Sequence, residues 1–153
     1  MDSVQGNKGV PRKRPIFGRQ FPDGEYRKRP GVYAVILQSG KVLVVKTEQG
    51  HYFLPGGGIE GDETHEECLK REVLEETGYA ASVEDFIGRA DQYLISTKNE
   101  TILNKGFFYR ACLKERVHEP EYGVFWLEVE EAVSLLFHDH QKWAVRNASE
   151  MSE

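Results

Sequence analysis

Apolar and polar positions change their spacing several times along the chain, and each change marks an element. Residues 32–37 form a continuous β-branched and apolar run, which predicts a buried strand. Residues 41–46 predict a second strand, and Ser39-Gly40 between the two reads as a hairpin turn. From 64 to 77 the pattern becomes helical: Thr64 suits the N-cap, Glu67 completes a capping box, and Gly78 stands where a left-handed C-cap is usual. Leu69 and Val73, related as i and i+4, form the stripe that faces the core. Farther on, residues 86–96, 106–113 and 124–127 predict strands. Residues 130–137 predict a helix with Ala132, Val133, Leu135 and Leu136 inward, and 139–148 a last helix packed through Trp143. Strands and helices mix without regular alternation, which predicts an α/β (α+β) fold with a mixed β-sheet between helices. Residues 1–15, rich in Gly, Lys, Arg and Pro, predict a mobile arm, leaving 16–153 as a single domain.

The helix over 64–77 carries an oddity. Glu72 and Glu76 are i,i+4 neighbours and Glu72 and Glu75 are i,i+3 neighbours, so three carboxylates share one face. Like charges at these spacings destabilise an isolated helix by a few tenths of a kcal/mol per pair. Arg71 alone is placed to offset them, one turn before Glu75. Clustered carboxylates suit a hard divalent cation with oxygen ligands, Mg2+ or Mn2+. A merely acidic, solvated helix face is the competing reading, and spacing alone leaves both open.

The wider pattern separates them. Gly57 is followed after five residues by Glu63, and seven residues later come Arg71, Glu72 and Val73, then Glu75, Glu76 and Gly78. This resembles the signature of the Nudix hydrolase family, the MutT-like proteins, and the Leu-Pro-Gly-Gly lead-in behind an aromatic residue extends the likeness. Tyr79 departs from it, standing where the family has an aliphatic residue, and reads as a packing variant. The resemblance implies the Nudix α/β/α sandwich. It further implies that Glu72, Glu75 and Glu76, with the backbone carbonyl of Gly57, hold Mg2+ or Mn2+. Glu72, Glu75, Glu76 and Arg71 then form the catalytic set: Arg71 orients the glutamates, and Glu72 is the first candidate for general base. Glu63 and Gly78 are structural within the motif. Family members use a further acidic residue distant in sequence, for which Glu119 and Glu121 are candidates. The implied activity is hydrolysis of a phosphoanhydride bond in a nucleoside diphosphate derivative by metal-activated water, with a small nucleotide as substrate, no membrane partner, nucleic acid disfavoured and a homodimer allowed. A nucleoside triphosphate is the leading substrate, ahead of nucleotide sugars, dinucleoside polyphosphates and RNA 5′ ends. The contrasting class is a Nudix-fold nucleotide-binding or sensor module without turnover, which the complete glutamate set disfavours.

Composition narrows the rest. A net charge of −5 argues against a general nucleic-acid binder, which would carry a basic stripe. No apolar run is long enough to span a membrane and no secretory leader is visible, so the expectation is a cytoplasmic pyrophosphatase. Cys68 and Cys112 do not make a disulfide framework, and both read as small buried thiols. His138 and His140 flank Asp139 and read as surface or cap residues, and His51 as a loop residue. Lys13-Arg14 and Arg27-Lys28-Arg29 read as solvated basic runs, with contact to substrate phosphates as the sharper alternative. Tyr93, Phe107, Phe108 and Tyr109 are expected mainly in the core, with one free to stack on a base.

Overall fold

The structure is a computed structural model that describes residues 14–20 and 25–151. Its element order is β1 (Ile16–Phe17), β2 (Arg27–Val35), β3 (Leu37–Gln38), β4 (Lys41–Lys46), β5 (Tyr52–Phe53), β6 (Gly56–Gly58), α1 (His65–Thr77), β7 (Tyr79–Ile95), β8 (Thr101–Arg116), β9 (Gly123–Glu128), α2 (Val129–Leu135) and α3 (Asp139–Met151).

Strand alternation explains the layers. Val32, Ala34, Ile36 and Leu43 pack with Cys68, Leu69 and Val73 of α1, whereas Val35, Val42 and Val44 pack with Ala132 and Val133 of α2 and Ala144, Val145 and Ala148 of α3. The run over 32–37 is uniformly apolar because successive side chains enter different cores. Helices therefore cover both sides of the sheet layer, as an α/β/α sandwich requires. That layer is two sheets rather than one: five strands in the order β1-β7-β8-β2-β6, and β3-β4-β5 with β9 added to the other edge of β4. β2 runs parallel to β8 and antiparallel to β6, so the larger sheet is mixed. Ser39 and Gly40 both take positive φ in the β3–β4 turn, as a two-residue hairpin favours.

Several expectations need correction. β7 and β8 are much longer than 86–96 and 106–113, because bulges between Tyr79 and Gly88 break the alternation that would have marked the strand. Leu135 is exposed: α2 stops there, and extended backbone at Leu136 turns Leu136 inward instead. Cys68 is buried, but Cys112 is exposed because strand alternation buries Ala111 beside it. His140 is fully buried, its Nε2 3.0 Å from Asn104 Oδ1, and its ring stands 5.7 Å from that of His138. The arm expected over 1–15 lies outside the described residues except for Arg14 and Pro15. Those two dock on β7, the Pro15 carbonyl accepting from Asp91 N–H and Arg14 pairing with the Asp91 carboxylate, both at 2.9 Å. Among the described residues no helix is long and apolar enough to cross a membrane.

Candidate active site

Helix α1 is fixed at both ends by the residues that its pattern predicts. Thr64 Oγ1 accepts from Glu67 N–H, Glu67 returns the bond to Thr64 N–H, and Gly78 closes the helix at φ +83°. Gly78 is required twice over: its conformation suits glycine, and a Cβ there would collide with the His118 carbonyl oxygen. The Gly78 carbonyl accepts from the N–H groups of Val117 and His118, at 2.8 and 3.2 Å. The carbonyls of Glu75 and Glu76 accept from Glu121 and Tyr122, at 3.3 and 3.4 Å. Residues 117–122 thus satisfy helix-end carbonyls that would otherwise lack partners.

Arg71 organises the acidic face. Its Nε and Nη2 donate to the two oxygens of Glu63 at 2.6 and 3.0 Å, a bidentate pair. Nη1 reaches Glu72 at 3.1 Å and Glu75 at 3.5 Å, and Nη2 also donates to the Gly58 carbonyl at 3.2 Å. The hydrogen bonds from Arg71 and from Glu60 N–H hold the Glu63 carboxyl down at about 2, and Glu63 in turn raises the guanidinium pKa. Glu63 therefore ties the loop to the helix.

The three glutamates of the face are unequal. Glu75 is half exposed. Glu72 is mostly covered, and a Cβ on Gly57 would stand 2.6 Å from its Oε2, so only glycine leaves the carboxylate room there. Glu76 is buried and accepts from Gly56 N–H at 3.2 Å. Burial, the charge of Glu72 and the hydrogen bond that a protonated Glu76 would donate to Glu72 push the Glu76 carboxyl well above the usual carboxylate range. Two carboxylates this close, one of them buried, favour a shared proton or a cation between them. Among the described residues no three acidic, histidine or cysteine side chains converge as ion ligands do, and Glu75 pairs with Arg71 at 3.5 Å. The donor set nevertheless fits a hard cation: carboxylate oxygens on one helix face, and a glycine turn with no side chain to block them.

The remaining predicted residues separate cleanly. Glu121 adds negative charge near Glu76, whereas Glu119 is almost fully exposed and pairs with Arg116 at 2.9 Å, away from the site. Cys68 lies beneath the glycine turn with its thiol toward the carbonyls of Gly57 and Gly58, and burial lifts it to about 12, which leaves it no nucleophilic role. His51 stacks on Phe137 at 3.9 Å. Phe108 is core, while Phe107 and Tyr109 pack around His65.

A cleft of about 540 Å³ opens from the glycine turn and Glu76, and sequence reasoning missed most of its lining. Arg29, the last of the basic run, lies over Gly58 and has no ion-pair partner among the described residues. Tyr33 follows on the same face of β2, its phenol pushed up to about 12 by burial and accepting from Asn104 Nδ2 at 3.1 Å. Gln141 is buried, its Oε1 accepting from Leu54 N–H at 2.7 Å, which leaves its Nε2 for the cleft. The period of two in Arg29, Gly31 and Tyr33 was the available signal for the first two residues.

Comparison with known proteins agrees with this geometry. The NUDIX domain family profile matches residues 27–148. Nudix hydrolase 18, mitochondrial, of Arabidopsis thaliana is 33% identical over 112 residues, covering 70% of this chain and 62% of that protein. The ADP-ribose pyrophosphatase of Methanocaldococcus jannaschii is 38% identical over 89 residues, covering 48% of this chain and 53% of that one. The chain thus spans between about half and two thirds of the length of these relatives. Among solved structures, a NUDIX hydrolase from Nitrosomonas europaea shares the fold with a TM-score of 0.67 at 20% identity, covering 81% of this chain and 90% of that one. Profile, relatives, fold and the spacing from Gly57 to Gly78 coincide, and the chain belongs to the Nudix family.

Proposed function

We propose that this protein hydrolyses a phosphoanhydride bond in a nucleoside diphosphate derivative, with Mg2+ or Mn2+ bound at Glu72, Glu75, Glu76 and the Gly57 carbonyl. The observation that carries the reading is the joining of two features that separately mean little. The carboxylate face opens through Glu76 and the glycine turn into a cleft of ligand size, and at the lip of that cleft stands Arg29, a guanidinium with no ion-pair partner among the described residues. A bound divalent ion supplies charge neutralisation for the phosphates and activation of water. The chain's own groups do the rest. Arg71 fixes Glu72 and Glu75, Arg29 meets the substrate's phosphate oxygens, and Glu72 takes the proton of the attacking water. The water oxygen bonds to phosphorus, and the electrons of the broken P–O bond leave with the departing phosphate or nucleotide.

A nucleoside triphosphate is the first substrate to try. One observation favours a substrate with a second arm, such as ADP-ribose, on which the archaeal relative is named to act. The cleft continues past Phe53, Leu94 and His138 into a second chamber of about 740 Å³ walled by His51 and Phe137. The deciding experiment is a screen of nucleoside triphosphates, nucleotide sugars, dinucleoside polyphosphates and capped RNA with Mg2+ or Mn2+, reading phosphate and nucleotide release. Release from at least one class, lost in Glu75→Gln, is expected. No product from any class would replace this reading with that of a nucleotide-binding module.

A further inference from the structure

Helix α1 ends at Thr77, and beside that end an uncovered rim brings together Thr77, Tyr79 of β7, Leu113 of β8, and Val124 and Trp126 of β9. The uncovered rim is a second hollow, of about 510 Å³, with no lining residue in common with the cleft. The last turn of α1 divides them: Glu76 faces the cleft and Thr77 the hollow. Leu43 and Leu113 line its apolar side, at the edge of the core beneath α1.

The residues around this floor are unusual for an unfilled rim. Tyr79, which departs from the aliphatic position of the signature, lines it, and so does Trp126, which is 36% exposed. Neither ring touches another aromatic ring among the described residues. The Tyr79 hydroxyl and the Lys114 ammonium have no hydrogen-bond or ion-pair partner among those residues. Arg116 pairs with Glu119, whose side chain is 89% exposed, and such a surface pair is weak enough to exchange for a better anion. A phenol, an indole, a free ammonium and an exchangeable guanidinium around an apolar floor suit a ligand with a flat ring and a negative charge.

We propose that this hollow is a second binding site, separate from the cleft, for a nucleoside monophosphate. The base lies against Tyr79 and Trp126, and the phosphate meets Lys114 and Arg116. The volume falls within the roughly 300–1,000 Å³ of small-molecule sites.

The test uses the two indole N–H signals, from Trp126 and Trp143, in ¹⁵N-labelled protein titrated with AMP in EDTA, so that no metal draws the nucleotide to the cleft. The Trp126 signal is expected to shift saturably while that of Trp143, packed beside Phe108, stays in place. Lys114→Glu and Tyr79→Leu are each expected to weaken AMP about tenfold, and the unmoved Trp143 signal shows that each variant is folded. Arg29→Ala, in the cleft, is expected to change the Trp126 titration less than twofold. The proposal is overturned if Trp126 does not respond to AMP up to about 10 mM. It is equally overturned if Lys114→Glu leaves the titration unchanged, or if Arg29→Ala abolishes it. A Trp126 shift that follows protein concentration and ignores AMP would also overturn it, assigning the face to a second copy of the chain.

Discussion

Replacing Gly57 with alanine adds one methyl group at the point where the glycine turn meets the acidic face. Its Cβ would stand 2.6 Å from Glu72 Oε2 and 2.8 Å from Cδ, where ordinary contact begins at 3.4 Å, so the carboxylate must retreat by about 0.8 Å. Glu72 has little freedom to do so, because Arg71 Nη1 holds the same oxygen at 3.1 Å. The backbone at Gly57 does not have positive φ, so the substitution adds no conformational penalty of its own. The structural cost is a Glu72 side chain forced off its rotamer, about 1 kcal/mol, which lowers Tm by about 2–4 °C in a domain of this size. The functional cost is far larger if Glu72 holds the metal and takes the proton, since a misplacement near 1 Å costs about 100-fold in rate. kcat/KM at saturating Mg2+, measured beside thermal unfolding, separates the two effects. Gly58→Ala is the matched comparison. Its Cβ would meet the guanidinium of Arg29 at 3.1 Å, and because that side chain is long and exposed the loss should stay below about tenfold and appear mainly in KM. The assignment of Glu72 fails if Gly57→Ala keeps kcat/KM within about threefold of the natural protein.

Other consequences are separable in the same way. Gly78→Ala should lower Tm by at least about 5 °C, because left-handed backbone costs about 1–2 kcal/mol for alanine and the new Cβ displaces the loop carbonyl of His118; an unchanged Tm would contradict the cap geometry. Glu75→Gln together with Glu76→Gln should abolish turnover while circular dichroism and the cooperative melt persist, and full activity of that double variant at saturating Mg2+ would refute the metal site. Burial holds His140 at about 3 and His138 at about 4, so the unfolded chain takes up protons below about 6.5 that the folded chain refuses. Stability should therefore fall as pH drops from 6.5 toward 3, by about 2 kcal/mol per histidine between 6.5 and 5. Urea unfolding at both pH values should show a smaller loss in His140→Gln. Arg29→Ala should raise KM at least about tenfold with kcat little changed, as loss of a uniform phosphate contact requires; an unchanged KM would remove Arg29 from the substrate's path.

The acidic helix was legible in the sequence because every part of it is local. Thr64, Glu67 and Gly78 set its ends, Leu69 and Val73 set its buried face, and the same periodicity fixes Glu72, Glu75 and Glu76 on one side. The glycine turn precedes it by a few residues, and Arg71 reaches Glu63 within the same segment. None of this needs knowledge of which strand pairs with which. The cleft is the opposite case. β2 pairs in parallel with β8, placing Arg29 opposite Asn104 and Tyr33 opposite Phe108, and that register spans most of the chain without a hairpin to announce it. Gln141 arrives from α3, whose position depends on the core it shares with β2 and β4.

Polarity misled where a buried partner was waiting. Asp139 between two histidines looks like surface, yet His140 is the better-buried residue, because Asn104 supplies the hydrogen bond that its Nε2 needs, and Asn104 in turn donates to Tyr33. A chain of three polar side chains inside the sheet is costly unless each link is satisfied, and satisfying it requires residues from β2, β8 and α3 in one place. The same chain ends at the Tyr33 hydroxyl, which faces the cleft beside Glu76. The buried histidine that looked like a surface residue therefore orients, through Asn104, a phenol in the cleft proposed to take the substrate. Substitution at His140 is expected to reach KM as well as stability, and the pH profile of KM in His140→Gln against that of its melt distinguishes the two.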